Sequence, residues 1–246
     1  MKKVAYLIVT MCVSLCIATA SVAAECNCFK YEILNKKSKT VELIKGCGKD
    51  SVVIPSTVTI DSETYTVTSI GRQAFWNCQD ICYVAVPKTV TSIGDEAFSD
   101  CRQLQSISLP SSVKSIGEQA FRGCKNLTSI SLPAGLTTLG ESAFLGCTAL
   151  TSVTLPKSLT YVPNFCFYGC SSLKSITIPA GVTSIGDYAF VNCNGLTSVK
   201  LPESVTSIGE AAFRGCRNLT DCMVPSAIDQ GRYPLIFDSN CGFMMQ

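Results

Sequence analysis

Cysteines recur every 23 residues along this chain, at Cys78, Cys101, Cys124, Cys147, Cys170, Cys193 and Cys216. Phenylalanines keep the same step at Phe75, Phe98, Phe121, Phe144, Phe167, Phe190 and Phe213. So do prolines, at Pro87, Pro110, Pro133, Pro156, Pro179, Pro202 and Pro225. Three chemically unrelated residue types in one register over seven copies mark a repeat array, and the period has to be read before any helix or strand is assigned.

One copy, Val113 to Pro133, shows what the unit can do. Ser129 to Leu132 alternate polar and apolar, which puts Ile130 and Leu132 on one side of a strand and Ser129 and Ser131 on the other. Pro133, lacking an amide hydrogen, ends the strand. Val113 and Ile116 mark a second extended segment closed by Gly117, and Glu118 to Arg122 are expected to form one helical turn burying Ala120 and Phe121. Cys124 and Leu127 return the chain inward. A coil of 23 residues cannot bury these side chains by itself; stacked coils place like over like and pair their strands in parallel.

The pattern L-x-S-I-x-L-P-x-x-V-x-S-I-G-x-x-A-F-x-x-C, standing at Leu104 to Cys124, resembles the BspA-like class of bacterial leucine-rich repeats. The resemblance covers about residues 67–225. It implies a right-handed leucine-rich repeat solenoid with short parallel strands, one coil per 23 residues and little helix. It also implies a secreted or surface-exposed protein with an adhesion-type role. The fifth copy departs from the pattern: Pro163 replaces the glycine, Cys166 the alanine, and Phe165 adds bulk.

Residues 1–24 read as a secretory signal peptide. Lys2 and Lys3 precede an apolar run from Val4 to Ile17, and Val22 and Ala24 offer a cleavage site before Glu25. A single membrane anchor is the alternative, for which the run is short. Residues 25–66 are expected to cap the first coil, with Val52–Pro55 and Tyr65–Val67 extended around a turn at Asp61 to Glu63. Seven repeats then span 67–227, and 228–246 form a partial copy around Phe237 and Cys241.

Composition narrows the function. Histidine is absent, which removes the usual general base and the commonest metal ligand. Setting aside Lys2 and Lys3 leaves 18 basic residues against 18 acidic, so no basic field awaits a nucleic acid. Serines have neither a histidine partner nor a G-x-S-x-G elbow. Asp95, Glu96, Glu118, Glu141, Asp187 and Glu210 fall at the turn after each glycine, where a solvated turn face accounts for them. The expectation is a chain with no catalytic, metal or cofactor site.

The seven repeat cysteines are expected to form a column of buried thiols donating to backbone carbonyls, since a straight column cannot converge on zinc. Among the rest, Cys28–Cys47 is a candidate bridge, whether Cys26, Cys28 and Cys47 pair is open, Cys222 reads as core, and Cys82 as partly exposed. Asn126 and Asn218 begin glycosylation sequons that the repeat alone explains.

The outward strand positions, Ser106, Ser108, Ser129, Ser131, Ser152, Thr154, Ser175 and Thr177, make a flat hydroxyl-rich face without anchors. Aromatic and apolar side chains gather instead on the turn side of copies four to six. Leu145, Tyr168 and Val191 share one column, Phe165 and Tyr188 another, with Tyr161 nearby. Such clusters anchor protein interfaces and also stack on sugars. Phe165 has two readings, outward in this patch or inward as filling for the irregular coil. The expected partner is a protein, such as a host matrix or cell-surface protein, with a glycan as an alternative and membrane contact only through the signal segment. A structural surface component without a specific ligand is the other reading.

Overall fold

The computed structural model describes residues 29–229, 231, 233–237 and 242–245. The chain winds as a solenoid of about eight turns of about 23 residues, with parallel strands. Among the described residues the one α-helix is the single turn Tyr233–Ile236. The predicted signal segment lies outside the described residues.

Each regular coil carries two short strands. The longer ones, Ser106–Ser108, Ser129–Ser131, Ser152–Thr154, Ser175–Thr177 and Ser198–Lys200, bury only their middle residue. Their register is the repeat itself, with Ile130 beside Val153 and Val153 beside Ile176. Two-residue strands such as Ser115–Ile116 and Thr138–Leu139 make a second parallel ladder. Upstream, β1 (Lys30–Asn35) pairs antiparallel with β2 (Thr40–Lys45), while β3 (Asp50–Val53) starts one ladder. β4 (Thr57–Ile60) and β5 (Glu63–Ile70) form a hairpin, and β5 lies parallel to β2. An antiparallel strand laid along the first parallel one covers an edge that would otherwise be free to pair.

The third side of the coil corrects the sequence expectation of a helical turn at Glu118 to Arg122. The amides of Gln119, Phe121 and Gly123 donate forward to the next coil, to the carbonyls of Glu141, Ala143 and Leu145, at 2.9, 2.8 and 2.7 Å. A left-handed residue stands on each side of the phenylalanine, here Gln119 at φ 54° and Gly123 at φ 68°. These reversals turn alternate amides along the rod axis, so bonds that a helix would close within one turn instead tie coil to coil. The position two residues after the phenylalanine is held by Asn, Asp or Gly in every copy, the residues that adopt this conformation most readily: Asn77, Asp100, Gly123, Gly146, Gly169, Asn192 and Gly215.

Inside, the seven phenylalanines are fully buried. Their rings stack at 5.0 to 5.5 Å with interplanar angles of 9° or less. Phe29 closes one end edge-on to Phe75 at 6.3 Å, and Phe237 stacks on Phe213 at 5.0 Å at the other. Beside them runs the thiol column. Cys124, Cys147, Cys170 and Cys193 donate their S–H to the carbonyls of Phe98, Phe121, Phe144 and Phe167 at 3.1 to 3.2 Å. Cys78 is the half-buried end of the column, its thiol a longer 3.8 Å from the Gly46 carbonyl.

Cys47 and Cys222 each take part in a disulfide, whereas nine other described cysteines, the seven repeat positions among them, are free. Cys222 is therefore not simply core: it is fully buried and cross-linked as well. Cys26, Cys28 and Cys241 lie outside the described residues. Cys82 is half-buried.

Candidate binding surface

The fifth coil is where the regular surface breaks. In its neighbours the glycine amide donates to the preceding short strand, as Gly140 does to Ile116 and Gly186 to Val162 at 2.9 and 2.8 Å. Pro163 has no hydrogen to give. The short-strand ladder accordingly stops at Thr138–Leu139 and resumes as a separate sheet at Tyr161–Val162. Cys166 takes the alanine slot and is fully buried, so the added sulfur is absorbed inside.

Phe165 is not used as core filling. It occupies the first left-handed position of its coil, at φ 54°, and stays half-buried. Its ring stacks on Tyr188 of the next coil at 5.0 Å and 14°, and meets Tyr168 at 6.1 Å and 42°. These rings form one wall of an open hollow of about 730 Å³. Val191 and Asn192 of coil six and Arg214, Gly215 and Arg217 of coil seven complete it.

Four of the six residues expected to form the surface thus line this hollow: Phe165, Tyr168, Tyr188 and Val191. Val191 is only 7% exposed and serves as floor, not as a protruding anchor. Leu145 is half-buried one coil away and does not line it. Tyr161 is exposed on its short strand, on another side of the coil, and is not part of the cluster. The two arginines escaped sequence reading, although the column arithmetic reaches one of them: Tyr168, Val191 and Arg214 are successive 23-residue steps.

Charge around the hollow is arranged through Tyr188. A hydrogen bond to the Glu210 carboxylate, reinforced by that charge, raises the Tyr188 phenol above its ordinary value, while Arg214 pulls it the other way. Glu210 is itself placed by its backbone, whose amide donates to Asp187 Oδ1 at 2.7 Å. Two more bonds of this kind occur among the described residues. Asp95 accepts from the Glu118 amide at 2.9 Å and Asn164 from the Asp187 amide at 2.8 Å. The turn acids are therefore more than a solvated face: the short ones hold the next coil in place.

The flat strand face has little to grip. Its serines and threonines project from short parallel strands, and Thr128 and Thr151, just before two of these strands, spend their hydroxyls on carbonyls of the preceding coil. Among the described residues no three Cys, Asp or Glu side chains converge as metal ligands would, and no helix is long and apolar enough to cross a membrane.

Parallel coils of one fixed length, each laying a leucine, an isoleucine or valine and a phenylalanine over the last, define a leucine-rich repeat solenoid. The chain belongs to the BspA-type leucine-rich repeat family, whose model matches residues 45–173 and 160–233 in six copies. Among solved structures it is similar to a leucine-rich repeat protein of T. pallidum. The two are 33% identical at a TM-score of 0.71, over 78% of this chain and 87% of that one. It is equally similar to a leucine-rich cell surface protein of Faecalibacterium prausnitzii, again 33% identical at a TM-score of 0.71. That match takes in 83% of this chain, which spans about half, 55%, of the other. No curated protein sequence matches it.

Proposed function

We propose that this is a secreted or surface-exposed binding protein that docks other proteins through the aromatic hollow of coils five to seven. The observation that carries the reading is the stacked pair Phe165–Tyr188 with Tyr168 beside it. In the first four coils the column of Phe165 and Tyr188 is polar, with Gln73, Glu96, Gln119 and Ser142, so the stacked pair is a local departure from the repeat. Tyrosine and arginine in a sheltered hollow are also the residues that dominate protein interfaces.

Supporting the location are the lysine-led apolar segment of residues 1–24 and the F. prausnitzii relative described as a cell surface protein. Cleavage after Ala24 predicts Glu25 as the first residue of the exported protein, which N-terminal sequencing reads directly. In the same reading residues 25–66 and 228–246 are caps and 67–227 the repeats. The chain acts without catalysis, a reading supported by the lack of histidine and open to a broad hydrolase screen.

Capture from host-matrix and envelope extracts tests the surface. Tyr168→Ser combined with Tyr188→Ser should reduce what is captured while the melting temperature stays near that of the parent. Tyr161→Ser, off the hollow, should leave capture unchanged. Equal capture by parent and double variant would remove the hollow from the function and favour a structural surface component.

A further inference from the structure

Independently of the hollow, we propose that β3 (Asp50–Val53), near the opposite end of the rod, takes up one extended segment of another protein as an added strand. Among the described residues β3 is the outermost strand of its ladder, paired in parallel with Ile81–Ala85 along one edge only. Its amides alternate. Those of Asp50 and Ile54 donate to the carbonyls of Asp80 and Ala85 at 2.7 and 3.0 Å. The same alternation turns the N–H and C=O groups of Ser51 and Val53 to the other edge, where β3 has no strand beside it among the described residues. A bare strand edge is a template for pairing with another chain.

The cap covers the other two sides of this coil. β1 lies along β2 on the short-strand side. Gly46 stands in the phenylalanine slot, its amide donating to Ala74 as that of Phe75 does to Ala97, and Phe29 closes the ring column beyond. The opening beside β3 is thus one strand wide, about 4.8 Å. A second rod would bring a whole coil to the level where β1 and Phe29 already stand, so the fit is to a terminus or an exposed loop. Side chains define the partner further. In the regular coils the outward strand positions carry hydroxyls, but here Val53 and Ala85 stand in the column of Ser108, and Tyr83 in that of Ser106. Val53 is 69% exposed and Tyr83 36%. Unpaired backbone calls for a polypeptide, and this apolar face calls for an aliphatic or aromatic residue where the added strand passes Val53.

Random peptides displayed on phage, selected on the full chain and then synthesised, test this. N-methylation at every second peptide position should weaken binding about tenfold or more, while the intervening positions tolerate it. Adding the peptide should slow amide hydrogen exchange at Ser51 and Val53 about tenfold or more. Val53→Pro removes one outward amide and leaves the bonds of Asp50 and Ile54 in place, so it should abolish binding with little change in melting temperature. Val53→Lys, a milder change at the same exposed site, should weaken binding too. Peptides that bind both variants as they bind the parent overturn the proposal. So do peptides without the alternating N-methyl effect, peptides that leave Ser51 and Val53 exchanging as before, and a library that yields none. Exchange already slow at both amides before any peptide is added means that the chain's own residues or a second copy fill the edge, and overturns it as well. Peptides lost on Tyr168→Ser/Tyr188→Ser belong to the hollow; if all behave so, the hollow stands and the β3 site falls.

Discussion

Phe165 and Phe167 stand two residues apart in one coil, and the solenoid treats them in opposite ways. Phe167 is fully buried, with the rings of Phe144 and Phe190 above and below at 5.4 Å. Phe165 sits in a left-handed turn, half-buried, with a single ring, Tyr188, stacked on it. Side-chain chemistry is identical, so hydrophobicity does not decide burial here. Position in the coil does, because the ladder of coil-to-coil bonds fixes which side of the turn each Cβ leaves from. Whatever occupies the inner column must fit between the like residues of the coils on either side, whereas the outer column is free to vary, and the proposed binding surface is built from that freedom.

The largest contrast should appear in the thiols. Burial pushes the thiols of Cys124, Cys147, Cys166 and Cys170 well up, while the hydrogen bond from Cys101, helped by Lys45, holds Cys78 below its usual value. The thiolate is the reactive form. At neutral pH an alkylating reagent should therefore label Cys78 first in the native protein. The inner thiols should react only through global opening, on the order of a thousandfold slower or more. Mass mapping of the labelled sites that shows Cys147 modified as fast as Cys78 would break the distinction between the column and its end.

Stability comes next. Phe121→Ala should cost about 3–5 kcal/mol by leaving a cavity between two stacked rings, read by denaturant unfolding. An unchanged melting temperature would mean the rings do not share one core. Gly146→Ala isolates the backbone contribution, since nothing lies closer than 3.9 Å to a Cβ built there, yet φ is +73°. The strain alone should cost about 1–2 kcal/mol. Phe165→Ala, by contrast, gives up two ring contacts on a half-buried side chain, at about 0.5–1.5 kcal/mol for the stacked one and less for the tilted one. If that last variant proved as damaging as Phe121→Ala, the outer cluster would belong to the core after all.

How much was legible beforehand follows from the same contrast. The coil length, the phenylalanine column, the thiol column and the inward strand residues repeat seven times, and repetition converts weak single signals into a firm one. The turn after each glycine was misread as helix because a polar-polar-Ala-Phe run scores alike whether its amides bond within the turn or to the next coil. The arginines of the hollow went unremarked because each belongs to a different column and coil, and only the winding brings Arg217 across from Phe165. Tyr161 erred in the other direction: four residues from Phe165 in the chain, it lies on another side of the coil.

By itself the sequence determined the architecture, since a period of 23 with fixed apolar positions has a low-energy solution only when coils stack and like side chains meet. The tertiary structure alone decided which surface side chains share a hollow. That depends on where each coil turns and on which amides point along the axis, and those directions are set by contacts between coils rather than within any one of them.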